Sequence, residues 1–153
     1  PQAMQRYRAR LSGPLLDRLD LQITVPAVPW RDLSTSRRGE SSRSVAQRVY
    51  QARCRQQIRF FEITISCNGE MGPSEINRWA QPDASGKRLL ERASRTLGLS
   101  ARAYHRLLRV ARTIADLDSA DNVETHHRAE AIAYRSLDRG QEPQTKAVGS
   151  WQT

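Results

Sequence analysis

Two arginine-bearing segments carry the side chains best suited to chemistry. In residues 11–21 (LSGPLLDRLDL), Leu15, Leu16, Leu19 and Leu21 can anchor the chain while Asp17 and Arg18 stand between them. An arginine held in this way can meet negative charge that grows during a reaction, as on a γ-phosphate, where such fingers contribute about 10³ to 10⁵ in rate. The same pair also suits a local ion pair that closes the turn, with Asp17 orienting Arg18. In the second segment, 101–115, Arg102, Arg106, Arg109 and Arg112 flank a helical stripe of Tyr104, Leu107, Leu108, Ala111 and Ile114. His105 sits among these arginines and reads as a surface imidazole. His126 and His127 are adjacent, so on a helix their side chains diverge by about 100°, and no metal site is expected.

Several chemistries are missing from the 153 residues. There is no GxxxxGK[ST] phosphate loop, no HExxH, no GxSxG and no GxGxxG followed by an acidic residue. Cys54 and Cys67 lack a CxxC partner and a nearby histidine, which argues for reduced thiols over a zinc site or a disulfide framework. The net charge is +9 and 38% of residues are hydrophobic, as expected for a soluble, basic, cytoplasmic domain. No apolar run approaches the roughly 18 to 20 residues of a membrane span. Only Lys87 and Lys146 are lysines; a GC-rich genome and selection for phosphate-facing guanidinium forks both account for that bias. The chain begins at Pro1 with a helix-like pattern already under way by 4–10, the expectation for a piece of a longer protein.

These side chains must be positioned by a mainly α architecture. Residues 1–10 read as the end of a helix and 19–25 (LDLQITV) as a short strand stopped by Pro26 and Pro29. Residues 31–42, rich in Ser, Arg and Gly, read as a linker. A basic helix is expected from Ser42, its N-cap, to about Phe60, with Val45, Val49 and Ala52 on its apolar side. Residues 61–72 read as an extended loop. Pro73 starts a short helix through Trp79, with Ile76 and Trp79 packed inward. Asp83 caps a helix over 87–97, Gly98 ends it, and Ser100 caps the arginine-bearing helix. Thr125 caps a last helix with Ala129, Ile132, Ala133 and Leu137 as its apolar side. Residues 140–153 read as a tail.

Residues 7–21 (YRARLSGPLLDRLDL), 97–118 (LGLSARAYHRLLRVARTIADLD) and 130–139 (EAIAYRSLDR) closely resemble the C-terminal portion of the magnesium-chelatase-like AAA+ ATPases of the ComM/YifB family. The resemblance covers nearly the whole chain before the tail and is loosest in FFEITISCNGEMGPSEINRWAQPD. It implies a split AAA+ architecture. Residues 1–30 would end the α/β ATPase core as a short strand-containing remnant, and 43–139 would form the helical lid bundle. It also implies that Arg18 is the arginine finger and that Arg102, with Arg109 seven residues on, fits the sensor-2 pattern. Arg102 is the preferred candidate because it lies in the first helical turn. In that reading ATP and Mg2+ serve the full-length protein, Arg102 contacts ATP within its own subunit, and Arg18 completes the site of a neighbour in a ring, expected to be a hexamer. The implied activity is a helicase that drives DNA branch migration during uptake and recombination. The 153 residues alone are expected to hydrolyse no ATP.

Two rival functions stay open at this point. Residues 31–60 hold eight arginines against Asp32 and Glu40, a balance of +6 that suits a DNA- or RNA-binding module whose phosphate contacts release counterions. A solvated basic helix face explains the same charge. The chelatase side of the family offers a motor subunit for metal insertion into a tetrapyrrole.

Overall fold

The computed structural model describes residues 15, 18–23, 25–28, 30 and 39–135. Five helices lie among them: α1 (Ser42–Arg59), α2 (Pro73–Trp79), α3 (Ala84–Leu97), α4 (Ala101–Leu117) and α5 (Thr125–Ala133). A 3₁₀ turn, Asn68–Glu70, lies between α1 and α2. The expected residues 1–10, most of the 31–42 linker, Leu137 and the 140–153 tail fall outside the described residues.

Local chemistry sets most helix boundaries. Ser41, one residue before the expected cap, accepts from the Ser44 N–H at 3.2 Å and starts α1. Pro73 opens α2, where a missing N–H costs nothing. Asp83 accepts from the Gly86 N–H at 2.9 Å to start α3. Gly98, at φ 62°, supplies the left-handed turn that ends it. Ser100 accepts from the Ala103 N–H at 3.1 Å and starts α4 two residues later. The α3–α4 corner is therefore encoded within three consecutive positions, 98–100.

The central helix is α4, against which α1, α2, the 3₁₀ turn and α5 pack, while α3 packs on α5. Leu107, Leu108, Ala111 and Ile114 of α4 join Phe60, Met71, Ile76, Leu90 and Ala131 in one buried cluster. Each large aliphatic side chain buried there contributes about 1.5–3 kcal/mol. Trp79 packs on the cluster edge-on to Phe60, with ring centroids 5.3 Å apart.

Four expectations are corrected. The 19–25 strand is reduced, among the described residues, to a single parallel bridge between Gln22 and Arg135, because no neighbouring strand lies among those residues to extend a ladder. Val45 and Val49 of α1 are 39% and 48% exposed, and only Ala52 and Gln56 of that helix are buried. The last helix buries His127, Arg128 and Ala131 and leaves Ala129 and Ala133 exposed; Glu124, not Thr125, occupies its N-cap position. Arg112, placed by the sequence on the arginine face beside the apolar stripe, is buried.

The reason for the last correction is a buried carboxylate. Asp116 accepts from both Nη atoms of Arg59, at 2.8 Å through Nη1, from Arg112 Nη2 at 2.9 Å and from Asn68 Nδ2 at 2.7 Å. Arg112 also donates to the carbonyls of Ala120 and Asp121 at 2.7 and 2.8 Å, closing the loop after α4. Burial alone would push the Asp116 carboxyl up, but the hydrogen bonds from Arg59 and Asn68 and the charges of Arg112 and Arg59 outweigh it and hold it below the ordinary range. A second buried arginine, Arg128, donates to Asp83 and to the Gln81 carbonyl, each at 3.2 Å. It lies so close to α3 that a Cβ on Gly86 would sit 2.7 Å from Arg128 Nη1.

Asp116→Asn should cost about 3–5 kcal/mol, because it removes the charge that compensates the buried Arg112 and the partly buried Arg59, measured by urea unfolding followed through Trp79. Asp116 has a lowered folded pKa, so its contribution is complete above the unfolded value of 3.8 and is lost as pH falls through the folded value. Stability of the wild type should therefore fall below about pH 4, and Asp116→Asn should flatten that acid limb. Gly86→Ala should lower stability by about 1–3 kcal/mol through overpacking, despite alanine's better helix propensity.

Candidate anion-binding cleft

The first half of α4 and the 18–23 segment meet at an open cleft of about 670 Å³, lined by Arg18, Ala101, Arg102, His105, Arg106 and Arg109. Four guanidinium groups and an imidazole converge there, with no carboxylate in the lining. Helical spacing explains the α4 contribution, since 102, 105, 106 and 109 recur every three or four residues along one side. Arg102 is the second residue of α4, where free backbone N–H groups and the helix dipole add to its attraction for an anion. Arg18, Arg102 and Arg109 make no ion pair with a carboxylate among the described residues, and Arg109 Nε is buried without a hydrogen bond. Such a lining suits phosphate oxygens. It offers no oxygen ligand to Mg2+ itself.

Arg106 differs from its neighbours. Its Nη1 donates to the Arg18 carbonyl and, at 2.7 Å, to Asp20 Oδ1. Two further contacts hold the same segment: Arg135 Nη1 donates to the Leu19 carbonyl at 3.1 Å, and the Gln22 N–H donates to the Tyr134 carbonyl at 2.8 Å. The Arg18 N–H donates to the Leu15 carbonyl at 2.9 Å, so the backbone itself closes the turn; Asp17 lies outside the described residues. Behind Arg106 and Arg109 a second hollow of about 410 Å³ is mostly apolar, lined by Leu21, Ile23, Ile114 and Leu117 among others.

The sequence singled out Arg18 and Arg102, and the structure brings both to this one cleft. It adds His105 and Arg106, which sequence reading had left as an exposed imidazole and a flanking arginine. The link between Asp20 and Arg106 spans 86 positions, and no local pattern signals it.

The histidine pair behaves differently from its helical spacing. The His126 and His127 rings lie 3.8 Å apart, because His127 reaches back so that its Nδ1 accepts the Glu124 N–H at 2.9 Å. Ligand atoms of Asp118, His126 and His127 come within 4.8 Å of one another. With Nδ1 used as an acceptor, a neutral His127 carries its proton on Nε2, 3.2 Å from Asp118 Oδ2. A metal there would need a lone pair on that same atom, so the cluster is not prepared for one.

No helix among the described residues is long and apolar enough to cross a membrane. Residues 39–135 match the family described as magnesium chelatase, subunit ChlI C-terminal, and residues 1–33 match magnesium chelatase, subunit ChlI. The chain is 44% identical over 140 residues to the competence protein ComM of Haemophilus influenzae. It is also 44% identical over 140 residues to the uncharacterised protein YifB of Escherichia coli. Both alignments take in 91% of this chain and 27% of the relative. A more distant relative, the uncharacterised protein Mb2921c of Mycobacterium bovis, is 33% identical over 131 residues, 86% of this chain and 26% of its own length. The chain thus spans about a quarter of the length of these relatives. With its helical lid-like bundle and a profile match across most of its length, the chain belongs to the magnesium chelatase subunit ChlI C-terminal family, in its ComM/YifB-like branch.

Proposed function

We propose that these residues form the C-terminal part of an AAA+ ATPase motor and supply it with two arginines, Arg18 as the finger and Arg102 as the sensor, both directed at one triphosphate. The observation that carries this reading is the shared cleft, acid-free in its lining, on which Arg18 and Arg102 both lie. Because a single chain presents both groups on one cleft, they serve one nucleotide from the same side. The resemblance implies instead that Arg102 meets its own subunit's ATP and Arg18 a neighbour's; the shared cleft supports the reading with both on one nucleotide. Bound ATP with Mg2+ supplies the phosphoryl chemistry. Arg18 stabilises the negative charge that develops on the phosphoryl oxygens, and Arg102 orients the phosphates at the α4 N-terminus. Loss of an anion from this cleft leaves uncompensated guanidinium groups facing one another, which favours reopening and movement of the lid.

The likeness to ComM supports a role in competence-related DNA handling by a self-associated ring, with branch migration by a hexameric helicase as the specific activity. A second reading, direct DNA contact by this region, draws on α1, which carries five arginines and no acidic residue and exposes Tyr50 at 70%. The ChlI match keeps a chelatase motor subunit as the third.

ATPase turnover of the full-length protein separates these readings. Arg18→Ala should lower kcat by about 10³, and mixing it with wild type should depress activity more steeply than dilution if a neighbouring subunit's site depends on it. Unchanged turnover in Arg18→Ala and Arg102→Ala would remove the motor reading. Tight, salt-sensitive DNA binding that is lost on replacing Arg43 and Arg53 would then favour the DNA-binding module.

A further inference from the structure

Among the described residues, Arg106 is the arginine of the cleft whose side chain is already committed to protein partners. Its guanidinium bridges the main-chain carbonyl of Arg18 and the Asp20 carboxylate at 2.7 Å, and its side chain is 22% exposed against 59% for Asp20. These bonds use Nη1 alone, but they tie the guanidinium to the 18–20 backbone and the Asp20 carboxylate offsets its charge, whereas Arg18 and Arg102 have no carboxylate partner among the described residues. The bridge grips the residue that bears the finger by its backbone, which fixes where the Arg18 side chain starts without restraining its guanidinium. Arg106 stands one helical turn from Arg102 on α4, so the same helix carries one phosphate-facing arginine and holds the other.

Resting on the phosphate-contact reading above, we infer that Arg106, braced by Asp20, is a positioning residue that joins the 18–20 segment to α4, so that Arg18 and Arg102 approach and leave a triphosphate as one unit. Arg106 does not touch the phosphates in this arrangement. Its loss leaves the Arg18 guanidinium present but misplaced, and misplacement of about 1 Å can cost 10²-fold in rate.

The test is a double-mutant cycle in the full-length protein, reading kcat and the KM for ATP. Arg106→Ala should lower kcat about 10²-fold with KM within about twofold, and in an Arg18→Ala background it should have no further effect. Asp20→Asn, a change at an exposed carboxylate that leaves the bundle core untouched, should show the same dependence on Arg18 with a smaller loss. Arg106→Lys, which keeps the charge and one donor nitrogen on a shorter side chain, should fall between wild type and Arg106→Ala. Equal fold-losses for Arg106→Ala with and without Arg18 would overturn the inference, since they would mean direct phosphate contact or general damage. Wild-type turnover in both Arg106→Ala and Asp20→Asn, alongside a loss in Arg18→Ala, would sink the positioning role alone. Wild-type turnover in Arg18→Ala would sink the phosphate-contact reading together with it.

Discussion

A single buried negative charge organises this bundle. Asp116, with a side chain that is 0% exposed, is ringed by Arg59 from α1, Asn68 from the 3₁₀ turn and Arg112 from its own helix. Taking a carboxylate out of water costs several kcal/mol unless charges and hydrogen bonds replace the solvent, and each replacement here comes from a different stretch of chain. The polar cluster therefore fixes the register of α1 against α4 more narrowly than the apolar contacts can, since an aliphatic interface tolerates small shifts that a bidentate pair does not. It also explains why α1 needs so little apolar surface: Ala52 and Gln56 are its buried residues, and Arg59 supplies the directional contact.

The consequence runs along α4 to the other end. Arg102, Arg106, Arg109 and Arg112 share a helix but not an environment. Arg112 is neutralised by Asp116 and buried by it, so that desolvation lowers its pKa. Arg106 is matched by Asp20. Arg102 and Arg109 have no acidic partner among the described residues and face an open cleft with Arg18. Unpaired like charges repel, so such a group persists because something anionic visits it or because water screens it. Its placement at a helix start, beside a clasped turn, favours the visitor. Charge compensation thus divides one arginine-rich helix into a structural half and a half left available for a ligand.

Much of this architecture was legible in the sequence where the signals were local. Pro73, Asp83, Gly98 and Ser100 each act on the backbone within a turn of themselves, and α2, α3 and α4 start or stop where those residues indicate. The α4 stripe of Leu107, Leu108, Ala111 and Ile114 follows from 3.6-residue periodicity. What was not legible depends on distant partners. Arg112 and Arg128 look solvated in a sequence dominated by arginine, and only the approach of Arg59, 57 positions from Asp116, or of Asp83, 45 positions from Arg128, reveals that they are inside. The α5 stripe failed for the same reason, since its buried side is polar. Of the cleft, Arg18 and Arg102 were found through family resemblance and helix position. Arg106 was invisible because its partners are a backbone carbonyl and an aspartate remote in sequence.

The central claim is that the Arg18 turn and the α4 N-terminus form one body. Distance measurement between spin labels tests it most directly, with labels at Leu19 and Ala101, Cys54 and Cys67 replaced by serine, and the full-length assembled protein studied with and without ATP. A distance distribution that keeps its centre and width in both states is the expected result, even while distances between subunits change. A separation that shifts or broadens on nucleotide binding would contradict the claim, because it would mean that the two arginines travel independently.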